Sequence, residues 1–382
     1  MFGKRFTVFR LLGFEVKLDV SWLILAGLIV STLATEFFPH YYSGLTSRAH
    51  WLMAIGGTLG LFFSIVFHEL CHSLVARRFG LPMKGITLFI FGGVAEMTRE
   101  PPSARAEFLM AVAGPFSSMV LASFLFLLSA GGRSAGWPVA LLGVFSYLAL
   151  LNLVLATFNL VPAFPLDGGR IMRSAIWAWK KDLLLATKIA TASGLGFAYL
   201  LMAAGLFGIF TGKAVAGLWW LVLGIFLKSA AEHSYKQVVF QKLLEGQKIS
   251  HFMKSQPVTV SADLALREFI EDYVYVFHYR FFPVVKNDSL LGCINVSKLK
   301  NLDKKEWDSY TVENFTEPCC ASNTVGPDEP ASQVLSRMQR TGNTKLLVVE
   351  NGKLLGIVSL KDMLSFLSLR LELESTDRLK DI

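Results

Sequence analysis

Charge is scarce in this sequence, and cysteine is scarcer. Only 17% of the 382 residues are charged and 53% are hydrophobic, with mean hydropathy +0.48, whereas a soluble domain carries about 25% charged residues. The shortage is local. Apolar residues crowd the chain before residue 231, and the remaining third has the composition of a soluble domain. The four cysteines, Cys71, Cys293, Cys319 and Cys320, have no spacing that would make a structural zinc site or a disulfide framework. They read as buried or reduced thiols facing the cytoplasm. No small-residue cleavage site follows the first apolar stretch, so the basic start (Lys4, Arg5, Arg10) is read as leading into a retained helix, not a signal peptide. The net charge of +8 comes without a basic, aromatic-interleaved face, which argues against nucleic acid as a partner.

What is present is a set of long apolar runs. A bilayer core needs about 20 apolar residues per helix, and six segments qualify: 18–38, 52–76, 107–130, 138–160, 188–210 and 214–231. Basic residues alternate across them. Lys4, Arg5, Arg10 and Lys17 lie at the start; Arg77, Arg78, Lys84, Arg99 and Arg105 follow the second run; Arg170, Arg173, Lys180, Lys181 and Lys188 follow the fourth. The opposite connections hold only Arg48, Arg133 and Lys213. Positive charge stays inside, so both ends of the membrane domain are expected in the cytoplasm. Within the connection after the second run, Gly85–Met97 is β-branched and aromatic, too short to span, and broken by Gly92 and Gly93. It predicts a short membrane-associated strand or hairpin.

After residue 248 short strands alternate with amphipathic helices, and the pattern occurs twice about 60 residues apart, which marks an internal duplication. The expected organisation is a membrane domain over 1–231, a linker over 232–248, soluble copies over 249–305 and 306–371, and a charged tail over 372–382.

The second run contains Phe-His-Glu-Leu-Cys-His, residues 67–72. Positions i and i+4 share a helix face, so His68 and His72 can offer two imidazole nitrogens to one metal with Glu69 beside them. Ionisable groups inside an apolar helix are costly without partners, and a metal in a polar cavity removes that cost. Zinc suits imidazole and carboxylate ligands and leaves a position open for water. Cys71 is read as a small spacer beside the site. The missing third ligand is best supplied by Asp167, after the fourth run in Asn159–Arg170. At about 1.5 Å per residue, His72 and His68 lie roughly 8 and 14 Å inside the end marked by Arg77, a depth Asp167 can share. Pro162 and Pro165 stop the helix and let the chain turn back. Asn159 has two open uses: stabilising an oxyanion, or bonding that holds the helix end.

These motifs resemble the site-2 protease family of intramembrane zinc metalloproteases. The His68–His72 segment fits its H-E-x-x-H, Asn159–Arg170 fits its N-x-x-P-x-x-x-x-D-G, and Phe91–Met97 and Ala113–Ser118 resemble further segments. The paired soluble units resemble CBS domains, and there is no room for the PDZ insertion of other branches. The resemblance implies one zinc ion per chain on His68, His72 and Asp167, Glu69 as catalytic acid/base and Asn159 at the active site. It also implies that the strand around Gly92 and Gly93 pairs with an unwound substrate, a single-spanning membrane protein. The family's asparagine after the Ala-Gly-Pro turn is replaced by Ser117 and Ser118. CBS likeness implies ATP or another adenine nucleotide at Ser359 and Asp362, and a homodimer through these domains. In the first copy Lys298 stands where the aspartate belongs. The expected fold is therefore a polytopic α-helical membrane protein with a C-terminal α+β CBS pair. Its alternative function is a CBS-regulated channel or transporter with His68, Glu69 and His72 along an ion path. A second rival, a scaffold that binds without cutting, is disfavoured by the intact ligand set and Glu69.

Overall fold

A computed structural model describes residues 5–81, 83–89, 92–97, 100–287, 289–300, 302–366 and 368–369. The charged tail expected over 372–382 lies outside them. The chain divides into two compact units, Met1–Val238 and Val239–Ile382.

The first unit opens with a hairpin, β1 (Arg5–Leu11) and β2 (Phe14–Asp19), turned at Leu12 and Gly13, both at positive φ. Asp19 then caps α1 (Val20–Thr32), its carboxylate accepting from Ser21 N–H at 2.9 Å. A π-turn at Leu33–Phe37 continues α1 into α2 (Phe38–Tyr41). The metal motif lies on α3 (Ser47–Arg78), capped by Thr46. The strand pair β3 (Met83–Phe89) and β4 (Gly92–Met97) follows. Ser103 caps α4 (Ala104–Ser134), which continues through Pro115. Then come α5 (Val139–Asn159), α6 (Asp167–Lys180), α7 (Leu183–Phe210), capped by Asp182, and α8 (Ala214–Leu243).

Among the described residues, six helices are long and apolar enough to cross a membrane: Val20–Tyr41, α3, α4, α5, α7 and α8. The chain is a multi-pass membrane protein. Leu28, Phe63, Phe124, Leu127 and Phe207 are exposed on these helices, as lipid-facing side chains are. Between α3 and α5, buried Asn152 donates to Ser64 Oγ at 2.8 Å, one turn before His68 on α3; such polar links hold apolar helices together.

Sequence reading foresaw the β3–β4 hairpin but not the sheet it belongs to. The strands run in the order β1-β2-β3-β4, with β2 and β3 parallel and β4 outermost. Phe14 and Val16 of β2 and Ile86 and Leu88 of β3 pack with Trp22 of α1 and with Val66 and Leu70 of α3. That cluster fixes the sheet beside His68. Two further differences concern helices. α6 forms in a stretch expected to be a connection, and α8 continues beyond residue 231 into polar sequence.

In the second unit each copy forms a four-stranded sheet. The first contains β6 (Val260–Ser261), β7 (Phe281–Lys286) and β8 (Ser289–Asn295). The second contains β10 (Thr324–Val325), β11 (Lys345–Glu350) and β12 (Lys353–Ser359). The copies exchange their leading strands. β5 (Lys254–Ser255) pairs with β12, and β9 (Glu317–Pro318) pairs with β8. Helical segments α9 (Leu266–Glu268) and α10 (Tyr275–Phe277), joined by a π-turn, cover the first sheet, and α11 (Ala331–Thr341) belongs to the second copy. Phe269, Phe282, Val284 and Ile294 centre the first core.

Candidate metal centre

Two elements bring the predicted ligands together. His68 and His72 point from successive turns of α3, and Asp167 is the first residue of α6. The Nε2 atoms of the two histidines lie 3.1 Å apart, and Asp167 Oδ2 is 3.2 Å from His68 Nε2 and 3.1 Å from His72 Nε2. All three residues are buried, at 3%, 6% and 8% exposure, so bulk water does not compete for these atoms. Among the described residues, this is the group of His, Cys, Asp and Glu side chains placed to hold a metal ion, and Cys71 stands outside it.

The outer ring nitrogens decide what the inner ones offer. His72 Nδ1 lies 2.6 Å from the carbonyl oxygen of Met110, which can only accept, so Nδ1 donates its hydrogen there. The neutral ring then presents a lone pair at Nε2. His68 Nδ1 meets Ser118 Oγ at 2.9 Å; the hydroxyl can accept from it, and in that tautomer the Nε2 lone pair turns inward. Two lone pairs and a carboxylate this close repel one another unless a cation lies among them. Ligands about 2.0–2.1 Å from zinc at tetrahedral angles stand roughly 3.3 Å apart, so the donor set fits a zinc ion.

Space for it is left by α4. A Cβ on Gly114 would overlap His72 Nε2 and come within 2.6 Å of His68 Nε2. Asp167 is held by local sequence: side chains at Gly168 and Gly169 would strike the backbone at Leu160, Val161, Ala163 and Phe164, so only glycines let α6 begin against the preceding loop.

Glu69 follows His68 on α3 and is partly buried; no hydrogen bond or ion pair engages its carboxylate among the described residues. Gly93 of β4 touches it, since a Cβ there would lie 2.7 Å from Glu69 Cγ. Gly92, at φ 129°, starts the strand. Asn159 ends α5, and its amide donates to Leu155 O at 3.0 Å. Met110 and Gly114 were not singled out by sequence reading, and Ser118 was noted only as standing, with Ser117, in the place of the family's asparagine. A backbone carbonyl leaves no mark in a sequence, and a helical glycine resembles ordinary close packing.

In the second unit, Ser359 and Asp362 line a cavity of about 840 Å³ with Lys254, Tyr279 and Lys345. Asp362 accepts from Ser359 Oγ at 2.5 Å and pairs with Lys254 at 3.1 Å. Burial works against its ionisation, but the Ser359 hydroxyl and the ammonium groups of Lys254 and Lys345 hold its carboxyl below the usual range. Lys298, in the first copy, is tied to Glu317 at 2.6 Å.

The profile of Peptidase family M50 matches residues 56–136 and 132–203, which contain both motifs. A putative zinc metalloprotease, Rip3, of Mycobacterium tuberculosis is 32% identical over 356 residues, covering 93% of this chain and 90% of its own. The chain belongs to peptidase family M50. It is a zinc metalloprotease of the site-2 protease type, and membership in a peptidase family sets the channel reading aside. The zinc metalloprotease MJ0392 of Methanocaldococcus jannaschii is 31% identical over 98% of both chains. A site-2 protease structure from that organism aligns with 60% of this chain and 94% of its own, at 29% identity and a TM-score of 0.42. The CBS domain profile matches residues 321–369.

Proposed function

We propose that this M50 peptidase cuts a peptide bond of a membrane-protein substrate inside the bilayer, at one zinc ion per chain held by His68, His72 and Asp167. The observation that carries the reading is the convergence of three inward lone-pair atoms at 3.1–3.2 Å, with both outer histidine nitrogens already committed. Bound there, zinc supplies a Lewis acid that lowers the pKa of water and polarises a carbonyl.

The chain's own residues do the rest. Glu69, its carboxylate uncommitted, takes the proton of the attacking water and returns it to the leaving amine. A helical substrate hides its peptide bonds and has to be extended before cleavage. The outer edge of β4 offers backbone partners for that extended form, and Gly93 brings this edge against Glu69. The substrate class is a single-spanning membrane protein. Asn159 retains two uses; its bond to Leu155 O supports the one that holds the end of α5. Basic residues on alternate connections support a cytoplasmic position for both ends and for the CBS pair. The cavity at Ser359 and Asp362 supports binding of an adenine nucleotide that regulates cleavage. A homodimer through the CBS pair belongs to the same proposal.

The test uses purified protein in liposomes with a single-spanning substrate. Glu69→Gln is expected to keep one zinc per chain and lose at least about 10²-fold in cleavage. His68→Ala and Asp167→Ala are expected to lose the zinc itself, and chelation to abolish cleavage. Full cleavage by Glu69→Gln would overturn the mechanism.

A further inference from the structure

One face of α4 meets both metal-binding histidines from behind. Glu107, Met110, Gly114 and Ser118 are spaced three, four and four residues apart, which aligns them in one stripe. From its cytoplasmic end, the stripe takes Arg173 of α6 at Glu107 and His72 at the Met110 carbonyl. It then gives room to both imidazoles at Gly114 and meets His68 at Ser118. Both histidines are thus referenced to α4 directly. Among the described residues Asp167 bonds to the two histidines and makes no hydrogen bond to α4, against which its own helix docks.

That docking rests on a buried ion pair. Arg173 and Glu107 are 2% and 0% exposed, and Arg173 heads the largest fully buried side chains. Arg173 Nε donates to Glu107 Oε1 at 2.6 Å, Nη2 contacts the same oxygen, and Nη2 also donates to Glu100 Oε2 at 3.0 Å. The guanidinium lies over the Phe164 ring, 5.0 Å from its centroid, and so grips the loop that leads into Asp167. Glu107 Oε2 and Arg173 Nη1 find no hydrogen-bond partner among the described residues. A pair left incompletely satisfied is poorly built for stability, since buried ion pairs can be replaced by apolar side chains at little cost. What it supplies is direction: planar donors aimed at one oxygen fix the height and rotation of α6.

We propose that Glu107 and Arg173 are positioning residues of the metal centre, setting α6 on α4 so that Asp167 meets the His68–His72 pair. The inference rests on Asp167 being a zinc ligand. Arg173 touches neither substrate nor metal and acts through Asp167.

The test compares full-length variants in detergent. It reads zinc affinity by competition with a chromophoric chelator, thermal midpoint in the zinc-free state, and kcat and KM separately. Glu107→Leu/Arg173→Met removes both charges of the pair together; Arg170 and Glu100, which lose contacts at 3.9 and 3.0 Å, keep partly exposed side chains that water can reach. Its zinc-free midpoint is expected to match wild type while zinc affinity falls roughly 10- to 100-fold and kcat falls with KM unchanged. Glu107→Gln, which keeps the shape, is expected to shift zinc affinity in the same direction, and Arg173→Lys to recover part of what Arg173→Met loses. Wild-type zinc affinity in the apolar double variant would overturn the proposal while Asp167→Asn still loses zinc. Wild-type zinc affinity in Asp167→Asn would instead remove the ligand assignment, and the positioning role with it.

Discussion

At Gly114 the absence of a side chain is the functional feature. An added methyl would occupy space that the two imidazole nitrogens share, so Gly114→Ala is expected to lower zinc affinity at least about tenfold while the helices still assemble. Zinc titration against a competing chelator checks this, and an unchanged affinity would show that α4 yields. Thiols give a residue-scale test in the soluble unit. Burial and the charge of Glu317 push the Cys293 thiol up to about 12, whereas the Ser322 hydroxyl holds Cys320 below the usual range. The thiolate is the reactive form, so near pH 8 alkylation followed by peptide mapping should label Cys320 well before Cys293. Raising the pH should speed labelling of Cys320 only until its thiol is fully ionised, and Cys293 should stay protected throughout. The sequence made His68, His72 and Glu69 legible because helical spacing is a local rule. Asp167 was legible because prolines and glycines mark where a chain turns back. The partners that choose the histidine tautomers come from a helix about 40 to 50 residues away, and only folding brings them in.

Among elements, the sheet shows where local reading stops. Gly92 and Gly93 were read as a break, yet both lie within β4, paired with Phe89 and Leu88 of β3. The β1–β2 hairpin was hidden by its lysines and arginines, which marked orientation more strongly than they marked alternation. α6 was hidden by the prolines and glycines that precede it, although its own fourteen residues form a helix. The polar residues after 231 likewise hid the end of α8. β4 makes a testable contribution as an element. Gly93→Ala would press a methyl on Glu69 Cγ and Leu88. Because a misplacement of about 1 Å can cost about 10²-fold, kcat is expected to fall by about that factor with zinc retained. Loss of zinc in this variant would mean that the strand supports the ligands and not Glu69.

On the scale of the whole molecule, the two units have separate cores. A fragment spanning 239–382 is expected to unfold as one cooperative transition and to bind adenine nucleotide, with Asp362→Ala weakening binding at least about tenfold, since it removes a charged hydrogen-bond partner. Calorimetry of the fragment measures both. In the intact protein the same substitution should leave zinc content and basal cleavage unchanged and abolish any response to nucleotide. The duplication itself was plain in the sequence, because repeated strand and helix patterns survive as composition. Its strand exchange was not, since β5 and β9 are two residues each and too short to show alternation.

That exchange reaches beyond stability. A cut at 305/306 would deprive β8 of β9 and leave β12 holding a strand from the other copy. Each copy is finished by its sibling, as two links of a chain are closed only through one another. Neither can be lost, multiplied or traded with another protein by itself, so the pair is passed on, as it is folded, whole.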